Sequence, residues 1–187
     1  MKILEKEDDW RISFEKCKPY LTGYNVALDV GARGGEFAYY LNSFKTVHCF
    51  EFRGIAKPVE KRFFKRCPDE QKYKFHPIGI SDHNGHEYTT NLRVGRIKGR
   101  GFVKIKVKTI DSLGYTDVNF IKLDVEGHEY KCVVGAEQTI RKYNPVIIVE
   151  QNRNDFTASE LLKQWGYVVV DTFNVDNKIH DYIMVKK

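Results

Sequence analysis

The run Phe120-Ile121-Lys122-Leu123-Asp124-Val125-Glu126-Gly127-His128-Glu129 constrains the fold of this chain more than any other stretch. Its first five residues read as a buried strand. The strand end then delivers a carboxylate, a glycine turn, an imidazole and two further carboxylates to one place. In an open α/β sheet, ligands bind outside the carboxyl ends of the strands, so this strand end is expected to belong to an active site. An upstream counterpart, Ala27-Leu28-Asp29-Val30-Gly31-Ala32-Arg33-Gly34-Gly35, reads as a nucleotide-binding strand and turn.

Strand-like and helix-like segments alternate around these two motifs. Apolar groups at Trp10, Ile12, Phe14, Cys17, Tyr20 and Leu21 repeat at helical spacing, so residues 1–22 are expected to be a helical segment. Strands are expected over 25–30, 46–50, 73–80, 118–124, 146–150, 167–172 and 181–185. Helices are expected from Gly34/Gly35 to about Ser43, over 55–67 up to Pro68, over 129–142, and over 158–165 up to Gly166. In 102–108, Val103, Ile105 and Val107 alternate with Lys104, Lys106 and Lys108, the period of a strand with one wet face. It pairs with 86–92 as a hairpin around a Gly-rich tip. The pattern implies an α/β fold with a doubly wound, mostly parallel sheet and a small inserted basic β-hairpin at 86–108. The whole chain, 1–187, reads as a single domain.

Composition narrows the classes. With 42% hydrophobic residues the chain suits a globular protein with a real core, and no apolar run approaches the roughly 20 residues that span a bilayer. The charged start, Met1 to Asp9, is no signal peptide. Cys17, Cys49, Cys67 and Cys132 form no CxxC pair, which argues against zinc and for a reduced, cytoplasmic protein. The net charge of +6 is local: residues 91–108 hold seven cations and no acid, so the remainder sums to −1. A local anionic partner is one reading; lysines blunting an exposed sheet edge is the other.

The turn from Asp29 to Gly35 has the strand–glycine–helix logic of nucleotide sites, where glycine admits close approach and a helix start offers N–H groups. Glu51 ends the second strand 20 residues after Gly31, where an acidic residue commonly holds ribose hydroxyls.

With these in order, the chain resembles the FkbM-type methyltransferases. The resemblance rests on Asp29-Val30-Gly31-Ala32-x-x-Gly35, Phe50-Glu51, Ile80-Ser81-Asp82-x-x-Gly85, Thr109-Ile110-Asp111-Ser112-Leu113, the Ile121–Glu129 block, Gly135-Ala136, Pro145 and Glu150. It implies a class I, Rossmann-like methyltransferase that uses S-adenosylmethionine to methylate hydroxyls of sugars, glycolipids or polyketides. It implies that Asp29, Gly31, Ala32 and Gly35 surround the cofactor's methionine part, that Glu51 holds the ribose with Phe52 beside the adenine, and that Ser81 and Asp82 meet the adenine edge. Asp124 would lie near the sulfonium and the acceptor. Arg33 departs from the Asn common in the family and is expected to meet the methionine carboxylate.

Methyl transfer to a hydroxyl needs alignment and a base. His128 titrates near neutrality and is the leading candidate; Asp124 could orient it or take the proton itself, and Glu150 ends the neighbouring strand at the same sheet edge. Glu126 and Glu129 have a plainer reading in complementing a helix dipole, and no metal is expected. Arg96, Lys98 and Arg100 are candidate acceptor contacts at the hairpin tip. The expected acceptor is a saccharide or other small molecule, one that could be anionic. Two alternatives stand beside it: ribose 2'-O-methylation of RNA, drawing on the basic hairpin and on Lys57, Lys61, Arg62, Lys65 and Arg66, and a non-catalytic cofactor- or nucleic-acid-binding module.

Overall fold

A computed structural model describes residues 2–52, 57–89, 103–151, 155–174 and 180–187. Its frame is a seven-stranded sheet in the order β3-β2-β1-β7-β8-β10-β9. The strands are β1 (Val26–Val30), β2 (Thr46–Phe50), β3 (Tyr73–His76), β7 (Val118–Leu123), β8 (Val146–Gln151), β9 (Tyr167–Asn174) and β10 (His180–Lys186). β1, β2, β3, β7 and β8 run parallel, and β10 is antiparallel to β8 and β9. From β1 the chain winds outward through β2 and β3, then returns to β7 on the other side. The order therefore reverses between β1 and β7, and a crevice opens at their carboxyl ends.

Alternation along the central strands divides the core in two. Leu28, Val30, Ile121, Leu123, Ile147 and Val149 face one side, against helices α3 (Glu129–Val134), α4 (Glu137–Tyr143) and α5 (Thr157–Gln164). Ala27, Phe120, Val146 and Ile148 face the other, with Val47 and Cys49 of β2, under α1 (Lys2–Cys17) and α2 (Lys57–Arg66). Phe37 stacks on Phe120 at 3°, and Phe14 meets Phe120 edge-on at 5.6 Å. Asp29 and Lys122, register partners across β1 and β7, fall on this second face. In α2, Val59 and Phe63 sit four residues apart and buried, with buried Cys67 just past its end, while Lys61, Arg62 and Lys65 are exposed.

Three boundaries differ from the sequence expectation. The strand expected over 73–80 is cut at Pro77, which lacks the N–H that would continue the ladder. The piece after it, β4 (Gly79–Ile80), joins a separate three-stranded sheet, β4-β6-β5, with β5 (Gly85–Thr89) and β6 (Val103–Lys108). The helix expected over 129–142 is two helices, broken at Gly135-Ala136. A Cβ on Gly135 would stand 2.0 Å from the Ser81 carbonyl oxygen. Asp111 caps the second piece, its carboxylate accepting from the Gln138 and Thr139 N–H groups and the Thr139 hydroxyl. Thr109–Leu113 and Gly135-Ala136 of the family resemblance thus have a packing role. The helix expected from Gly34/Gly35 is a series of turns followed by one 3-10 turn, Ala38–Leu41. Left-handed φ values at Arg33 (48°) and Gly35 (82°) deny it a helical start.

The hairpin is present as β5 and β6, antiparallel with Tyr88 opposite Lys104 and His86 opposite Lys106. Its tip, with Arg96, Lys98 and Arg100, lies outside the described residues. Among the described residues no helix is long and apolar enough to cross a membrane. All four cysteines are buried, and burial pushes each thiol up, so they act as inert core groups.

Candidate active site

A cavity of about 480 Å3 occupies the crevice at the β1 and β7 ends, within the roughly 300–1,000 Å3 usual for small-molecule sites. Six residues named from the sequence line it: Gly31, Arg33, Glu51, Phe52, Asp124 and His128. The β4-β6-β5 sheet closes one wall with Ile80, Ile105 and Val107, and Tyr88 stands at the wall 66% exposed. Asp29, Ala32, Gly35, Ser81, Asp82 and Glu150 are near but not lining residues among those described.

Every N–H group of the glycine turn is spent inside the protein. Gly31 and Ala32 both donate to the Phe50 carbonyl (2.9 and 3.0 Å), and Gly35 donates to the Ala32 carbonyl. Arg33 donates to Glu51 Oε2 at 3.1 Å, and Gly34 donates to Glu36 Oε2 at 2.8 Å. No nest of free donors or helix start remains to cradle a phosphate. Gly31 has a different task. At φ +86° it presses against β7's exit, where a Cβ would lie 1.8 Å from the Asp124 carbonyl oxygen. The Asp124 N–H in turn donates to the Val30 carbonyl. The turn therefore joins the two strand ends that bear the acidic groups.

Those groups favour a cation. Glu51, Glu87, Asp124 and Glu126 line the cavity against Arg33 and His128. Asp29 is wholly buried behind them; its carboxylate lies 3.6 Å from Lys122 Nζ and neither oxygen receives a hydrogen bond among the described residues. Burial pushes Asp29 up to about 6, against the pull of Lys122. Lys122 is itself buried, donates to Asp124 Oδ2 at 2.9 Å, and is held charged by Asp124 and Asp29 despite its burial. Burial alone would raise Asp124, but the Lys122 cation and a hydrogen bond from Glu150 hold it below the usual carboxylate range. Glu150 goes the other way. Burial and then the charge of Asp124 raise it far above an ordinary carboxyl, so it is the protonated member of the pair.

His128 stands as the residue before α3, and its partners lie on the second sheet. Nε2 is 3.2 Å from Ser81 Oγ and 3.4 Å from Glu87 Oε2. The expected pairing of Asp124 with His128 gives way to two separate systems, Lys122–Asp124–Glu150 and Ser81–Glu87–His128. Burial lowers His128, so its ring is neutral near pH 7. Glu129 does not reach the cavity; its carboxylate accepts from the Val125 and Gly127 N–H groups and locks the turn that presents His128. That turn is left-handed at Glu126 (60°) and Gly127 (100°). Asp82, His83 and Glu87 bring ligand atoms within 4.8 Å of one another. Their contacts are already taken: His83 Nδ1 meets Asp82 at 2.8 Å, and Glu87 Oε1 meets Ser81 at 2.6 Å and the Lys131 ammonium at 3.4 Å.

Sequence reasoning missed Glu87 and the use made of Lys122. The signal for Lys122 was a lone cation inside an apolar strand. Glu87 had none, because its partners are 6 and 41 residues away and meet it only through the fold.

Residues 29–169 match the family model described as the Methyltransferase FkbM domain. No curated protein matches the chain. Among solved structures, the chain is similar to an FkbM methyltransferase from Methylobacillus flagellatus KT, 18% identical with a TM-score of 0.62, over 85% of this chain and 43% of that one. The chain thus spans less than half of that relative's length. An rRNA methylase from Streptococcus thermophilus is 11% identical with a TM-score of 0.54, over 100% of this chain and 96% of that one. M. capricolum TrmK, solved with S-adenosyl-homocysteine, is 9% identical with a TM-score of 0.56, over 92% and 66%. At such identities the likeness is one of fold.

Proposed function

The chain belongs to the FkbM methyltransferase family, and from that premise we propose that this S-adenosylmethionine-dependent enzyme methylates a hydroxyl oxygen on a saccharide or another small metabolite. The same reading treats residues 1–187 as one methyltransferase domain.

The cavity's chemistry suits the cofactor. It is acidic, as a sulfonium and an ammonium require, and its glycine turn has no spare donors for a phosphate. Glu51 would take the ribose hydroxyls and Phe52 would flank the adenine. Asp29, Gly31, Ala32 and Gly35 belong to the strand end and turn beside the methionine part, where Arg33 would meet its carboxylate. Ser81 and Asp82 flank the adenine side. When bound, the cofactor would supply a methyl carbon on sulfonium sulfur that is open to in-line attack by an acceptor oxygen, the sulfur leaving as the thioether of S-adenosylhomocysteine.

One observation carries the choice of oxygen as acceptor: a neutral imidazole lines the cavity at the strand end that also holds Asp124. A hydroxyl must lose its proton as the new bond forms, and an unprotonated side-chain base at the cavity wall is what that step asks for. His128 would accept the proton. Glu87, 3.4 Å from Nε2, would stabilise the imidazolium that results. Asp124, kept ionised by Lys122, would face the sulfonium, and Glu150, kept protonated, would donate a hydrogen bond toward Asp124 rather than compete for the proton.

Exposed cations favour RNA as a second reading. Lys61, Arg62 and Lys65 line α2, and Lys104 and Lys106 share the outer face of the hairpin with His86 and Tyr88. Aromatic and basic groups together suit stacked bases and phosphates. Labelled methyl transfer from S-adenosylmethionine into fractionated host extract, with and without ribonuclease, separates the two. Label in a saccharide or metabolite fraction supports the main reading; label that ribonuclease removes overturns it in favour of RNA.

A further inference from the structure

We infer that Glu87, on β5 of the basic hairpin, is a positioning residue that fixes the tautomer and aim of His128. The inference rests on the reading of His128 as the acceptor's base. Ser81 Oγ has one proton, and its shortest contact, 2.6 Å, is to Glu87 Oε1. Asp82 Oδ1, a second acceptor at 3.2 Å, is already engaged with His83, so the hydroxyl donates to the nearer Glu87 and accepts from His128 Nε2 at 3.2 Å. Glu87 Oε2 lies 3.4 Å from the same nitrogen. Both partners of Nε2 thus call for a proton there, which leaves Nδ1 with the free lone pair. A carboxylate that holds one ring nitrogen protonated makes the other nitrogen the base.

The surroundings keep Glu87 in that role. Lys131 of α3 is 3.4 Å from Oε1 and His83 is 3.8 Å from it, while Asp82 is engaged with His83. The Ser81 hydrogen bond and the charge of Lys131 hold Glu87 ionised against its burial. Ser81 follows β4, Glu87 belongs to β5 and His128 precedes α3. The hairpin sheet is therefore tied to the turn after β7 through this contact. Its role extends beyond presenting lysines: it carries the carboxylate that sets the base.

The test is nitrogen-15 NMR of the histidine rings in the wild type, Glu87→Gln and Ser81→Ala, with His128→Gln to assign the signal. The wild type should show His128 protonated at Nε2 alone, and both variants should shift toward a mixture of tautomers. Methyl transfer into host extract should fall roughly tenfold or more in kcat for Glu87→Gln, with the KM for S-adenosylmethionine unchanged. A His128 protonated at Nδ1 in the wild type, or a tautomer unmoved in both variants, overturns the inference while leaving methyl transfer intact. Wild-type turnover in His128→Gln overturns it by removing the base reading beneath it.

Discussion

Replacing Gly31 with alanine tests whether the glycine turn is built for packing or for a ligand. The new Cβ would start 1.8 Å from the Asp124 carbonyl oxygen, where ordinary contact begins at 3.4 Å. That oxygen belongs to backbone at the end of a buried strand and cannot swing aside as a flexible side chain would. Overpacking of this kind costs about 1–3 kcal/mol, and holding an alanine at φ +86° adds about 1–2 kcal/mol. The expected loss is about 2–5 kcal/mol. Gly114 supplies the control, since its φ is +68° and nothing lies within 4 Å of a Cβ there. Gly114→Ala should lose only the conformational part, about 1–2 kcal/mol. Urea unfolding of both variants, with the slope m unchanged, gives the two losses directly. Equal losses would refute the claim that Gly31 is required by its approach to Asp124.

Three further outcomes follow from particular contacts. Asp111→Ala removes three hydrogen bonds at the start of α4 and should cost about 1–2 kcal/mol in thermal or urea unfolding; a loss of cofactor affinity without that cost would contradict its capping role. Glu51→Gln should weaken S-adenosylmethionine binding about tenfold or more by calorimetry, since bonds to a charged acceptor contribute about 1.5–3 kcal/mol; unchanged affinity would remove Glu51 from the ribose site. Asp29 is raised to about 6 from 3.8, so the folded state holds a proton that the unfolded chain has lost between those values. Stability of the cofactor-free protein should fall as pH rises from about 4 to 6, by about 3 kcal/mol at 1.36 kcal/mol per unit. Asp29→Asn should flatten that slope and be more stable at pH 7; an unchanged slope would assign it to another group.

The order of strands and helices was legible because apolar runs and alternation report burial locally. The Ile121–Glu129 block marked the site because a strand that exits onto a carboxylate, a glycine and a histidine is unusual in itself. Errors fell where long-range contact overrode local pattern. Gly34/Gly35 read as a helix start, but left-handed backbone at Arg33 and Gly35, with Gly35 packed against Phe63 and Cys67 of the α2 side, leaves turns and one 3-10 turn. Gly135 sat inside a helical pattern, and only the fold shows Ser81's carbonyl pressed against it. The pairing of His128 with Glu87 instead of Asp124 could not be read, because a separate sheet, cut off at Pro77, brings Glu87 across. Lys122 was visible as an anomaly, but its meaning depended on Asp29 being its neighbour in register.

The most direct test is the bond that the enzyme makes. Carbon-13 NMR of the product formed from S-adenosylmethionine labelled at the methyl carbon reports the atom that receives it. The account expects a methyl ether carbon on a ribonuclease-resistant small molecule or saccharide, with its formation abolished in His128→Ala. A methyl group on nitrogen or carbon would contradict it.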